Sequence, residues 1–292
     1  MTTRPHPATW LDVFAEGPLQ GNLHLVVHDA DDLADDVMAT FSARTRLAET
    51  SFLQTATEPG ATYRHRIYVP GKEVPFAGHP SLGTAAAHAW RIGERAGTFV
   101  QQTASGLQRL DLDLGETAGT VAIHQNPAEL GETVPAADLM AMIGLPAVAA
   151  HPELAPQWVT TGMPTLVVPL HDPADLARVR FDWPRFAGVL ATWGEAAAYN
   201  CYVVAEEGPG RWGARCFGED PATGEDPATG SAAGPLGAYL QRHAGIARVV
   251  VDQGREMGSP SRLIVDTADG VVVSGTVRLL GTGTLELPVF AV

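Results

Sequence analysis

Along most of the chain, apolar and polar positions alternate in short runs that end at Gly, Pro, Asn or Asp. WLDVF and LHLVVH are two such runs on either side of EGPLQGN, whose Pro18, Gly21 and Asn22 supply turn chemistry, and together they predict a β-hairpin. From Ala30 to Leu47 the period changes. Leu33, Val37, Phe41 and, less regularly, Leu47 recur at helical spacing with acids in the first turn, predicting an amphipathic surface helix. TSFLQTA and YRHRIYV return to strand alternation, the second closed by Pro70-Gly71, and Leu110, Leu112 and Leu114 mark one face of a further strand. NPAELGETVPAADLMAMIGLP reads as a linker followed by a short helix.

Two runs break the alternation. PFAGHPSLGTAAAHAW, from Pro75 to Trp90, and PATGSAAGPLGAYLQRH, from Pro227, are nearly uncharged helical segments, and a helix without a polar face is a buried one. Both enter through Pro-x-x-Gly, at Pro75 to Gly78 and at Pro227 to Gly230. The second is preceded by strand-like QWVTTG, PTLVVPL, YNCYVVAEE and RWGARCF, and followed by RVVVDQG and several Gly- and Asp-punctuated strands. Each half therefore reads as strands wrapped around one buried helix. The expected class is α+β with mainly antiparallel sheets rather than βαβ units.

Composition narrows the function. The formal charge of −14 repels phosphate backbones and anionic lipid, so nucleic acid and membrane are poor partners. A small anionic substrate stays open, because local backbone N–H groups outweigh a distant field. Cys201 and Cys216 make neither a disulfide framework nor a zinc motif, and the N-terminus lacks an apolar export segment, which leads us to expect a cytoplasmic protein. No GxGxxG follows a strand, and GEDPATGS lacks the lysine of a phosphate-binding loop.

Chemistry is expected at the two helix starts, where unpaired N–H groups and a partial positive charge gather. His79 sits at one start and Asp226 just before the other, an imidazole and an acid beside backbone donors, as proton transfer on a carboxylate-bearing substrate requires. Glu49, among apolar neighbours at a helix-to-strand junction, is a third candidate. Each has a plainer reading: Gly78 and Gly230 as tight turns, Asp226 as a helix cap, His79 as a turn residue, Glu49 as a solvated acid. The hexapeptide GEDPAT occurs twice, from Gly218 and from Gly224. Only the second copy feeds into Gly230-Ser231 and the helix; the first is followed by Glu225, Asp226 and Pro227, and an incoming proline disfavours helix there.

DVF with its GN turn, ETSF, RIYVPGKEVPFAGHPSLGTA, TTGMPTLVVPL, EDPATGSA with GPLGAYL, and VDQGREMGSPSRL follow one another across nearly the whole chain. Together they resemble the PhzF family of phenazine biosynthesis-like isomerases, whose fold is that of diaminopimelate epimerase. The resemblance implies two similar domains, 1–123 plus 279–292 and 124–278, with the site where two central helix N-termini converge. It implies no metal or organic cofactor, a small anionic substrate and a homodimer. By the same resemblance the catalytic residues are Glu49, Asp226, His79 and Ser231, with Gly78, Gly230, Asn22 and Ala232 lining the substrate pocket. In well-known members the glutamate moves a proton between carbons of trans-2,3-dihydro-3-hydroxyanthranilate, turning an enol into a ketone. Two departures concern the pocket wall: Leu23 follows Gly21-Asn22 where the family usually has proline, and Glu219-Asp220 stand where a proline often follows the aromatic at Phe217. The competing readings are an amino-acid racemase or epimerase, whose paired thiols this chain lacks at both helix starts, and a binding or resistance protein without turnover.

Overall fold

The computed structural model describes residues 2–191, 199–218 and 224–289. The chain divides into two compact units, Met1–His124 with Ser274–Val292, and Gln125–Val273.

In the first unit, β1 (Thr2–Val13) and β2 (Asn22–Val27) form the expected antiparallel hairpin, with Val13 opposite Asn22. Gly21 closes it at φ 81°, where a Cβ would lie 2.4 Å from the Val13 carbonyl oxygen, so the turn admits no side chain. The helix expected from Ala30 is shorter than its pattern. Ala30–Asp32 is a 3-10 turn, Leu33 is extended, and α1 runs only over Asp35–Thr45, ended by left-handed Arg46. The acids of that first turn are used elsewhere: Asp31 accepts from the backbone and hydroxyl of Thr55, and Asp32 from His6 and Arg4. β3 (Thr50–Gln54) then runs parallel to β2, and β4 (Tyr63–Val69) and the short β5 (Lys72–Val74) follow antiparallel. The central helix α2 (Gly78–Ile92) leads to β6 (Ala96–Thr103), parallel to β4, and to the antiparallel β7 (Gly106–Leu114) and β8 (Ala118–His124).

The second unit begins with β9 (Glu129–Thr133), a strand where the sequence reads as linker; all five side chains are exposed, so no apolar alternation marks it. After α3 (Ala136–Met142) come β10 (Gln157–Thr160), antiparallel to both β9 and the next strand, β11 (Pro164–Leu170). A helix not foreseen, α4 (Trp183–Leu190), starts at Asp182, whose carboxylate accepts from the Arg185 N–H. β12 (Asn200–Gly208) runs parallel to β11, β13 (Arg211–Gly218) antiparallel to β12, and the two-residue β14 (Glu225–Asp226) pairs with β13. Then the second central helix, α5 (Gly230–Ala244), leads to β15 (Arg248–Gln253), parallel to β13, and to β16 (Ser261–Asp266). The last strand, β17 (Val272–Val289), is one 18-residue element passing through Gly275, Gly281 and Gly283. From Val277 to Val289 it pairs antiparallel with β1.

The two units repeat one order of elements: β2-α1-β3-β4-β5-α2-β6 matches β11-α4-β12-β13-β14-α5-β15, with the same parallel pairs. These four helix-bridged parallel pairs correct the expectation of no βαβ units, while the sheets remain mainly antiparallel and the class is α+β. Seven strands, β1 to β4 and β6 to β8, pack on α2, and it is buried continuously from Gly78 to Ala87. α5 packs on β10, β11, β15 and β16 and is buried from Gly230 to Leu240. That enclosure explains two helices without a polar face. The outer faces are covered separately, by α1 with Val37 and Met38 against Phe52 and Tyr68, and by α3 and α4 with Met140 and Phe186 against Val203 and Phe217. Among the described residues, no helix is long and apolar enough to cross a membrane.

Candidate active site

Each central helix begins without a side-chain cap. Ala77, at the start of α2, has no capping atom, and Pro80 in the first turn lacks an N–H to satisfy. At α5 the first residue before the helix is Thr229, a good capping type, yet its hydroxyl turns away and donates to Asp226 Oδ2 at 2.5 Å. Neither first turn carries an acid. Each start thus presents a positive dipole end with no acidic side chain in its own first turn.

Around the α2 start, three of the expected residues come together. His79 is buried, and Asn22, delivered by the Gly21 turn, lies with Nδ2 3.1 Å from His79 Nδ1. Glu49 directly precedes β3, and its Oε2 lies 3.5 Å from His79 Nε2. Burial holds His79 down at about 3, so the imidazole is neutral near pH 7. With the Asn22 amide donating to Nδ1, the single ring proton belongs on Nε2, on the side of the ring that the Glu49 carboxylate approaches without a formed hydrogen bond. The Glu49 side chain is only 17% exposed, so the carboxylate is largely out of water. Leu23, next to Asn22, takes part in the hairpin ladder opposite Asp12, with its side chain half-exposed.

Around the α5 start, Asp226 and Ser231 are organised by residues that the sequence reading did not single out. Gln253, at the end of β15, donates to the Asp226 carbonyl oxygen at 2.7 Å and to the Thr229 hydroxyl at 2.9 Å. Its own Oε1 accepts from Tyr202 OH at 2.9 Å and from the Thr229 N–H at 3.2 Å. Thr229 therefore accepts from Gln253 and spends its one proton on Asp226. Ser231 is buried with Asn200 Nδ2 3.3 Å from its Oγ, and Met163 Sδ lies 3.3 Å from that same Asn200 amide. Gly230 is held by Gln125, which donates to its carbonyl oxygen at 2.9 Å and accepts from Thr161 at 2.6 Å. Ala232 is buried in the first turn, its N–H bonded back to the Thr229 carbonyl at 3.1 Å. The motifs TTGMP, YNC and VDQG contain Thr161, Met163, Asn200 and Gln253; polar residues at strand ends within quoted motifs were the available signal.

The second hexapeptide copy has a structural half. Glu225 forms a two-pronged pair with Arg215, at 2.8 and 2.6 Å, and Arg215 also donates to the carbonyl oxygens of Leu176 and Val179. This buried pair pins β14 to β13, with Asp226 opposite Cys216. Residues 219–223 of the first copy, including Glu219 and Asp220, lie outside the described residues. Cys201 and Cys216 are buried in β12 and β13, and burial pushes both thiols far up, which leaves them unreactive. Among the described residues, no group of three or more His, Cys, Asp or Glu is placed to hold a metal ion.

The family described as phenazine biosynthesis-like protein, PhzC-PhzF, matches residues 11–287. The trans-2,3-dihydro-3-hydroxyanthranilate isomerase of Pseudomonas chlororaphis is 30% identical over 97% of this chain and 100% of its own. A solved structure from Pseudomonas aeruginosa, described as a predicted epimerase, is 35% identical, with a TM-score of 0.83 over 96% of this chain and 99% of that one. At 12% identity, a hydroxyproline epimerase from Agrobacterium vitis still reaches a TM-score of 0.67 over 100% of this chain and 94% of that one, a likeness of fold alone. A match that begins at Leu11 and ends at Leu287 takes in both units and both helix starts: the chain belongs to the PhzC-PhzF family of phenazine biosynthesis-like proteins.

Proposed function

We propose that this protein is a cofactor-independent isomerase that moves a carbon-bound proton by general acid/base catalysis on a small carboxylate-bearing substrate of the trans-2,3-dihydro-3-hydroxyanthranilate kind. The observation that carries the reading is a largely buried carboxylate, Glu49, 3.5 Å from Nε2 of a neutral histidine at an uncapped helix start. A carboxylate so placed takes a proton from an activated carbon, and the electron pair left behind passes into the conjugated system. The same carboxyl then returns the proton to another carbon, leaving an enol, which becomes a ketone when its O–H proton leaves and an enol carbon takes up a proton. His79 lies beside Glu49, and its neutrality prevents it from quenching the base as a permanent ion pair. The N–H groups at the helix starts supply donors for a substrate carboxylate or enolate oxygen. Asp226, held by Thr229, and Ser231, held by Asn200, assist in positioning and proton shuttling.

The relatives' names give the first substrate to try. Turnover of trans-2,3-dihydro-3-hydroxyanthranilate in D₂O is expected to place solvent deuterium on a ring carbon of the product; turnover without any C–D bond would sink the mechanism. A combined Glu49→Gln/Asp226→Asn variant is expected to be scarcely slower than the worse single variant, as for groups acting on one turnover. Assembly as a homodimer and residence in the cytoplasm belong to the same reading, the former checked by light scattering on the purified protein.

A further inference from the structure

Enclosed by the first unit lie two more histidines that the proposed chemistry leaves unused, His24 on β2 and His65 on β4, both buried. They belong to a chain of hydrogen bonds whose direction can be worked out atom by atom. Ser81, in the first turn of α2, donates to the Ala77 carbonyl oxygen at 2.8 Å, so it accepts from Gln101 Nε2, also at 2.8 Å. That orients Gln101 with Oε1 towards His65 Nδ1, 3.0 Å away, and an amide oxygen only accepts, so Nδ1 of His65 carries the proton. His65 Nε2 is then a bare acceptor, taking the Ser51 hydroxyl at 2.6 Å with the Thr84 hydroxyl at 3.2 Å. Having donated, Ser51 accepts from His24 Nε2–H at 2.8 Å. The His24 ring finally meets the His79 ring edge-on, with centroids 5.2 Å apart and an interplanar angle of 88°.

The members of this chain stand in a regular relation to the candidate site. His24 is two residues after Asn22, Ser51 two after Glu49, and Ser81 two after His79. Each backbone segment that presents a site residue is thereby tied to the other two by buried bonds, through β4 and β6. We propose that Ser51, His24, His65, Gln101 and Ser81 are a positioning network for the isomerase reaction, holding Glu49 and His79 at their mutual distance; this rests on the function proposed above. The parallel ladder already fixes β2 and β3 to each other, and the Asn22–His79 bond ties β2 to the α2 start; the network adds bonds with fixed donors and acceptors where packing of α2 on these strands would by itself tolerate slippage. A displacement of about 1 Å at a reacting group is enough to lose catalysis without losing binding.

Two measurements test it. In the wild-type protein, nitrogen-15 NMR of the imidazoles is expected to show His65 as the Nδ1–H form and His24 as the Nε2–H form near pH 7; either ring in the opposite form overturns the assigned direction, whatever the enzyme turns over. In kinetics on the substrate above, Ser51→Ala and Gln101→Met are expected to lower kcat about tenfold with KM within about twofold, and Ser51→Thr, which keeps the hydroxyl, to restore most of it. Variants that melt earlier but retain kcat would show the chain to be structural only and would overturn its positioning role. If Ser51→Ala fails to fold, Ser51→Thr and Gln101→Met are read alone, and unchanged kcat in Gln101→Met counts against the proposal. Should Glu49→Gln retain full activity, the functional reading fails while the imidazole forms still report on the network.

Discussion

Asp226 and Asp220 stand at the same place in two copies of one hexapeptide, and their neighbours separate them. Asp226 receives the Thr229 hydroxyl, follows the Glu225–Arg215 pair and precedes the open start of α5. Asn at this position keeps an oxygen for Thr229 but loses the charge, so Asp226→Asn is expected to cut kcat by about 10²-fold or more at near-normal stability. Asp220→Asn is expected to leave turnover within about twofold; the reverse result would shift the assignment by one repeat. Glu49→Gln removes the base while keeping the size, and a loss of about 10²- to 10⁴-fold in kcat is expected, measured under the same conditions.

The elements that carry these residues are the central helices, and their packing depends on small residues. On α5, Gly237 faces β16 so closely that an added Cβ would lie 2.4 Å from Val265 Cγ1. Gly237→Ala is expected to destabilise the protein by about 1–3 kcal/mol in chemical denaturation. Gly188 on the exposed face of α4 has nothing within 4 Å, and there the same change is expected to stabilise by roughly 0.5–1 kcal/mol. A clash-driven loss at one helix and a propensity-driven gain at the other would confirm that α5 is enclosed and α4 is a cover. The hairpin, the two central helices and most strands were legible in the pattern, because turn residues and the absence of a polar face are local signals. α4 and β9 were not. α4 is short and capped by a single aspartate, and β9 shows solvent every side chain it has.

Across the whole molecule, the buried histidines concentrate in one unit. His24, His28, His65 and His79 all belong to the unit of Met1–His124, and burial is the main cause that lowers each of them, His28 and His65 to about 4 and His79 to about 3. A lowered folded value means that the unfolded chain protonates first as pH falls below about 6.5, so the unfolded state holds more protons and stability declines with falling pH. The loss is expected to run from about pH 6.5 down towards 4. Calorimetry should show the melting temperature dropping through that window, and hydrogen exchange should show the first unit opening before the second. A melting temperature constant between pH 7 and 5 would contradict the buried neutral state of these rings. Burial keeps these rings neutral, and the bonds of His24, His28 and His65 go to hydroxyls and an amide rather than to charges.

By itself, the sequence determined the α+β class, the two buried helices, the turn that delivers Asn22 and the repeated Pro-x-x-Gly entry, since each follows from periodicity or from a residue with restricted backbone geometry. The motifs also named the residues of the candidate site. Only the tertiary structure decided that the Thr229 hydroxyl serves Asp226 rather than the helix, and that a neutral His79 lies 3.5 Å from Glu49. It alone joined His24, Ser51, His65, Gln101 and Ser81 into one chain. Those facts depend on which buried donor meets which acceptor across strands far apart in sequence, and no local pattern records a choice made by burial.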